Sequence, residues 1–477
     1  MNLFAVKPLD RIIAESEGEH SLKRSLSASA LIALGIGAII GAGIFTLTGV
    51  AAATNAGPAL ALSFIFSAIG CAFAGLCYSE FSTMIPIAGS AYTYAYATMG
   101  ELLAWIIGWD LVLEYAVGAA TVSIGWSQTV VALLEKFGIH LPPSLIASPF
   151  ADGTSIKGLI NLPAVFIVVL ISSILVIGIQ ESALVNTIIV FLKVSVVVVF
   201  IAIGWGYIDH ANHVPFIPAN TGEFGHFGWS GILAGAGTIF FAYIGFDAVS
   251  TAAQEAKKPQ RDMPIGIIGS LAICTILFIL YSYVLTGIVN YKRLNVAAPL
   301  SLALDVIPYP WLGVLMNLAV IAGLTSVILV MLLGQSRVFY SMSADGLLPK
   351  LFSDVHPKFR TPWRSNLLLM VFVSLFSAFA PISMVGKMTS IGTLFAFILV
   401  CGGIWIMRRT HPELPRPFKT PLVPLVPILG IICNLLLMSG LGWSNWARLF
   451  VWLALGFLVY FGYSRHHSHL QRPAKAS

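Results

Sequence analysis

Apolar runs of about 20 residues recur from one end of the chain to the other, the length at which an α-helix crosses a hydrocarbon core of roughly 30 Å. They are read at 29–53, 59–83, 102–134, 160–179, 184–206, 229–253, 265–288, 312–341, 366–380, 387–407, 423–441 and 447–463. Of 477 residues 58% are hydrophobic and 10% charged, too little polar surface to coat a water-soluble globule of this size. The alternating segments of about ten residues that build outer-membrane barrels are not seen. An all-α integral membrane protein with twelve transmembrane helices is predicted, and a cytosolic enzyme is excluded.

The charges orient it. Nineteen of the 26 Lys and Arg fall in 1–28, 254–264, 337–364, 408–419 and the tail, against four (Lys136, Lys157, Lys292 and Arg293) in the alternate loops. The positive-inside rule then places both termini in the cytoplasm of a multi-pass plasma or inner membrane protein. Three cations remain, Lys193, Lys387 and Arg448, within or at the ends of runs. Scattered basic residues form no basic domain, so nucleic acid is not a partner. The five cysteines lie in apolar runs without CxxC or Cys/His spacing, which gives no support to a disulfide framework, metal site or cofactor. All ten histidines lie in terminal or loop stretches. The long connection at 207–228 marks a seam. It divides the chain into 1–28 (cytoplasmic segment), 29–206 (first five-helix repeat), 229–407 (second five-helix repeat), 423–463 (helices 11 and 12) and 464–477 (cytoplasmic tail). An odd number of spans per repeat inverts the second relative to the first.

The first run contains GIGAIIGAGIF at 35–45, four glycines near the bilayer centre. Each glycine costs a helix interior roughly 1 kcal/mol relative to alanine, so the cluster marks either an opening or, through Gly37 and Gly41, a close-packed GxxxG face. The first run of the second half decides: GAGTIFFAYIGFD at 235–247 has small residues around Gly245 with an acid after it. Paired interruptions in corresponding halves point to a substrate site. Freed N–H groups there hold an anionic group and freed carbonyls a cationic one, which describes a receptor for a zwitterion.

Lys193 lies about 13 Å into its run, where a lysine costs on the order of 2.5–3.5 kcal/mol to insert. Desolvation disfavours its charged form, so it is read as a proton carrier, with a permanent structural cation as the other reading. Asp110 and Glu114 share a helical face and contact substrate or form a polar network. Asp247 caps or pairs with helix ends or faces a cationic substrate. Glu80 is placed at the membrane interface.

Taken together, GIGAIIGAGIF (35–45), GPALALSFIFSAIGCAFAGLCYSEF (57–81), PIAGSAYTYAYATMGELLAWIIGWDLVLEY (86–115), FFAYIGFDAVSTAAQEAKKPQRDMPIGI (240–267) and GQSRVFYSMSADGLLP (334–349) make the chain resemble the amino acid–polyamine–organocation superfamily of permeases. Within it, the resemblance is to the bacterial form of the cationic amino acid transporter family. It implies a LeuT-like 5+5 inverted repeat with discontinuous helices 1 and 6, and alternating-access transport of L-amino acids. By the same resemblance, N–H groups of Ala42, Gly43 and Ile44 meet the substrate carboxylate. Carbonyls of Ile39, Phe241, Ala242 and Ile244 meet its ammonium, Met331 and Glu114 lie by its side chain, and Lys193 takes the place of sodium in proton-coupled relatives. Many relatives carry Thr or Ser where this chain has Ala42. The expectation is a proton-coupled symporter for small or broad-range neutral amino acids, its partners being substrate, protons and membrane lipid. The alternatives are an Arg/Lys/ornithine transporter, an exchanger and an amino acid sensor.

Overall fold

The computed structural model describes residues 3–8, 26–85, 90–150, 158–178 and 183–471, and among these the regular structure is helical, with two isolated β-bridges besides. Helix α1 (Ala28–Ile39) starts at Ser27, whose hydroxyl accepts the Ala30 N–H at 3.3 Å and so serves one of the donors every helix start leaves orphaned. After a break, helical backbone resumes at Gly43 and runs through π-turns at Gly43–Leu47 and Ala52–Ala56 to a 3-10 turn at Gly57–Ala59. Then come α2 (Leu60–Met84) and α3 (Glu101–Lys136), the latter with a π-turn at Leu113–Val117. Helix α4 (Leu162–Ile177) starts at Asn161, whose Oδ1 accepts from Ala164 N–H and from the Ser127 hydroxyl.

The remaining principal helices are α5 (Ala183–Gly204), α6 (Gly228–Ile239), α7 (Pro259–Ile288) and α8 (Pro310–Ala344), then α9 (Trp363–Phe379), α10 (Ile382–Thr410), α11 (Leu425–Gly440) and α12 (Trp443–Val459). Eight helical stretches among the described residues are long and apolar enough to cross a membrane, and α1, α4, α9 and α11 are apolar but shorter. The chain is a multi-pass membrane protein. Large apolar side chains such as Phe191, Leu318 and Leu458 stay exposed on the outer helices, where lipid rather than water meets them.

Packing follows a simple rule. Helix α2 lies along α7, the second half of α3 along α8, and α4 along α9, while α1 rests on α7 and α5. At the face holding both chain ends, Asp345 accepts from Lys7 Nζ at 2.7 Å and from the Tyr92 hydroxyl at 2.8 Å. Glu101 accepts from Tyr96, Tyr460 and Ser468. Glu80, expected at the interface, is fully enclosed by protein: Arg408 grips it with Nε at 3.0 Å and Nη2 at 2.7 Å, and the Thr420 N–H adds a bond at 2.8 Å. A bidentate guanidinium offsets the cost of taking that carboxylate out of water.

Candidate functional site

The first helix stops at Ile39. Ile40 is extended (φ −73°, ψ 101°), although its N–H still reaches the Ile36 carbonyl at 2.9 Å. Because the helix starts afresh at Gly43, its leading N–H groups have no acceptor within the helix and carry the positive end of its dipole.

The second break has the opposite polarity. Helix α6 ends at Ile239 and tightens into a 3-10 turn at Phe240–Tyr243. Ile244 is then extended (φ −60°, ψ 132°), Gly245 takes φ +120°, and helix resumes over Ala248–Thr251. The 3-10 turn takes up the last carbonyls of α6, the Phe241 carbonyl accepts the Ile244 N–H at 3.3 Å, and the helix does not continue beyond it. The Tyr243 hydroxyl anchors this break by donating to the Phe64 carbonyl at 2.9 Å.

The two breaks touch. A Cβ at Gly43 would lie 2.3 Å from Ala242 Cα, so only glycine permits the approach. The turn carrying Gly43 and Ile44 touches the turn carrying Phe241 and Ala242, and Ile39, Ala42, Ile44, Phe241, Ala242 and Ile244 are each no more than 4% exposed. At that burial the meeting point of the two breaks is closed to solvent.

Helix α3 forms the wall and orders the remaining residues along its length. Its Gly125 faces Ala42 (a Cβ there would lie 3.1 Å from the alanine methyl), and its Gly118 faces Met331 (3.2 Å to Sδ). Glu114 is a neighbour of Asp247 and Thr393, and Asp110 lies against Gly392 of α10. Gly125 and Glu114 are about 16 Å apart along the axis at 1.5 Å per residue. Met331 therefore stands between the paired breaks and the acidic group. The Tyr115 hydroxyl approaches Asp247 Oδ2 at 3.5 Å, whereas the carboxyl oxygens of Asp110 and Glu114 have no hydrogen bond of ordinary geometry from the described residues.

Lys193 occupies a different place. It is 1% exposed, its Nζ donates to the Gly37 carbonyl of α1 at 2.7 Å, and its stem lies over Gly323 of α8. Its acceptor is one of the last carbonyls of α1, which the break leaves without an intrahelical donor. Four participants escaped the reading of the sequence: Gly118, Gly125, Tyr115 and Thr393. Gly118 and Gly125 follow Glu114 at spacings that share one helical face, a signal present in the sequence. The widened turn at Leu113–Val117 had none.

The sequence profile of the family described as amino acid permease matches residues 26–453. The chain is 44% identical over 471 residues to the methylthioribose transporter of Bacillus subtilis (strain 168), covering 99% of this chain and 100% of that one. It is 45% identical over 475 residues to the branched-chain amino acid permease BcaP of the same organism, covering 99% of each. To the vacuolar cationic amino acid transporter 4 of Arabidopsis thaliana it is 36% identical over 413 residues, 86% of this chain and 68% of that one. With a family match over residues 26–453 and relatives of 44–45% identity over nearly the whole of both chains, this chain belongs to the amino acid permease family.

Proposed function

We propose that the chain is a proton-coupled symporter for neutral L-amino acids, small ones favoured, working by alternating access in the plasma membrane with both termini cytoplasmic. The observation that carries this reading is the contact of Gly43 with Ala242, which brings the two breaks together; on this reading N–H groups of Ala42, Gly43 and Ile44 meet the carboxylate and carbonyls of Ile39, Phe241, Ala242 and Ile244 the ammonium. These opposed partial charges suit a carboxylate and an ammonium on one carbon. Met331 walls the side-chain end and holds Glu114 beyond reach of a short substrate; the 45% identity to a branched-chain permease agrees with a neutral, apolar side chain.

Twelve spans and a LeuT-like 5+5 inverted repeat with broken helices 1 and 6 complete the reading. The packing of α2 on α7, α3 on α8 and α4 on α9 supports it, because in each of these pairs a helix of the first half lies along the helix five places later, as its counterpart in a 5+5 repeat. Lys193 carries the proton: charged, it holds α1 through Gly37; neutral, it grips less firmly, since a charge-assisted hydrogen bond is roughly twice as strong as a neutral one. Asp110, Glu114 and Asp247 form the polar network beneath the substrate.

Uptake of labelled alanine, leucine and arginine into proteoliposomes tests this. An inward proton gradient should drive accumulation of alanine and leucine more than arginine. Uptake indifferent to the gradient for every amino acid would sink the coupling. The 44% identity to a methylthioribose transporter favours a second reading, and competition of unlabelled methylthioribose against labelled alanine discriminates between them, since a shared site gives mutual inhibition.

A further inference from the structure

Of the three cations that membrane topology leaves unassigned, Lys193 belongs to the site above. The other two meet elsewhere. Lys387 and Arg448 line a cleft of about 640 Å³ between the end of α9 and the starts of α10 and α12, on the face opposite the chain ends. Each lies about 7–8 Å in from the start of its helix, counting 1.5 Å per residue from Ile382 and from Trp443. That is the depth from which a long basic side chain keeps its stem in hydrocarbon and extends its charge to the headgroup layer. Arg448 Nη1 donates to Asn445 Oδ1 at 2.6 Å, which orients a guanidinium that has five N–H donors in all. The first turns of α10 and α12 also border the cleft through Ser383 and Ser444, and their dipoles add to the two formal charges.

The opposite wall is apolar. Leu375 and Phe379 of α9 line the cleft and are 55% and 40% exposed, exposure that on a membrane helix means acyl chains. We propose that this cleft binds an acidic phospholipid, with its phosphate between Lys387 and Arg448 and one acyl chain along Leu375 and Phe379. A soluble anion would be drawn to the basic side of the cleft and leave the wall unused; a neutral lipid would do the reverse. An acidic lipid satisfies both. The site stands independently of the substrate reading, but α10 joins the two: Thr393, beside Glu114, lies about 9 Å further along the helix than Lys387.

Thermal unfolding of delipidated protein in neutral detergent tests the site, with phosphatidylglycerol, phosphatidylcholine or inorganic phosphate added separately. Phosphatidylglycerol should raise the apparent Tm by about 3 °C or more beyond phosphatidylcholine, as a ligand of the folded state does, and phosphate should not. The Lys387→Gln/Arg448→Gln double variant should lose that difference, and Lys292→Gln/Arg293→Gln, which removes two charges from the same face, should keep it. Native mass spectrometry of the single variants Lys387→Gln and Arg448→Gln supplies a second readout that does not need the double variant to fold. Each should retain less phosphatidylglycerol than the wild type. Equal protection by both lipids, protection by phosphate alone, or undiminished lipid retention in both single variants would overturn the proposal.

Discussion

Lys193 and Gly37 are joined by a hydrogen bond of 2.7 Å from a side-chain ammonium on α5 to a main-chain oxygen on α1, while the lysine stem rests on Gly323 of α8. One side chain thus ties α1 to two other helices. Replacing it with Gln removes the charge and shortens the reach. Gradient-driven uptake should fall about tenfold or more, the equivalent of ~1.4 kcal/mol, while exchange between equal internal and external substrate changes much less. Equal loss in both assays would assign Lys193 a structural role.

Gly43 admits no Cβ, because the backbone of Ala242 already occupies the space. Gly43→Ala should separate the two breaks, lowering stability by about 1–3 kcal/mol as overpacking does and abolishing uptake. Gly402→Ala on α10, where a Cβ meets nothing within 4 Å, is the matched control and should transport normally.

Met331 lies beside Gly118, between the breaks and Glu114. Shortening it in Met331→Ser should open the space towards Glu114 and admit arginine or lysine while weakening the grip on alanine. Adding Glu114→Gln should cancel the gain for cations and leave that for large neutral side chains. Competition of each amino acid against labelled alanine reads both changes.

The ion pair of Lys7 with Asp345, half of a clasp completed by Tyr92, is only slightly exposed. Breaking one partner of such a pair leaves the other charge poorly solvated. Asp345→Asn should lower the apparent Tm and speed limited proteolysis of the N-terminal segment, whereas Lys358→Gln on the loop between α8 and α9 should do neither.

His213, in the loop between α5 and α6, packs against Tyr283 with ring centroids 4.3 Å apart and the rings tilted by 43°. Burial, aided by the neighbouring charge of His210 and opposed in part by a bond to the Tyr283 carbonyl, holds its pKa below the ordinary value. The unfolded chain therefore takes up the proton first as pH falls from about 6.5. The stability this group supplies is present at neutral pH and lost on acidification through the lowered folded-state value. His213→Gln should show a smaller drop in Tm between pH 7.5 and pH 5 than the wild type, as read by scanning calorimetry.

The helices and their breaks were legible because both leave marks in composition: long apolar runs for the former, and glycines in the middle of them for the latter. Gly43 and Gly245 announce where the backbone opens, and the structure opens it within a few residues of each. What lies beside what was less legible. Glu80 sits near the end of an apolar run, and nothing local to it reveals that Arg408 and Thr420, more than 300 positions away, close around it. The same holds for Met331 and Gly118, on helices far apart in the chain. Such pairings are decided by how the helices stack rather than by hydropathy along any one of them.

In the proposed mode of binding, peptide groups meet both charged ends of the zwitterion, so most side-chain changes leave the grip common to all amino acids in place, Gly43 excepted. The preference among them rests on side chains such as Met331. A lineage can therefore change what it imports by altering a single lateral residue, leaving the holding apparatus and its drive intact. Kinship with carriers of differently named cargoes is the natural outcome of such an arrangement.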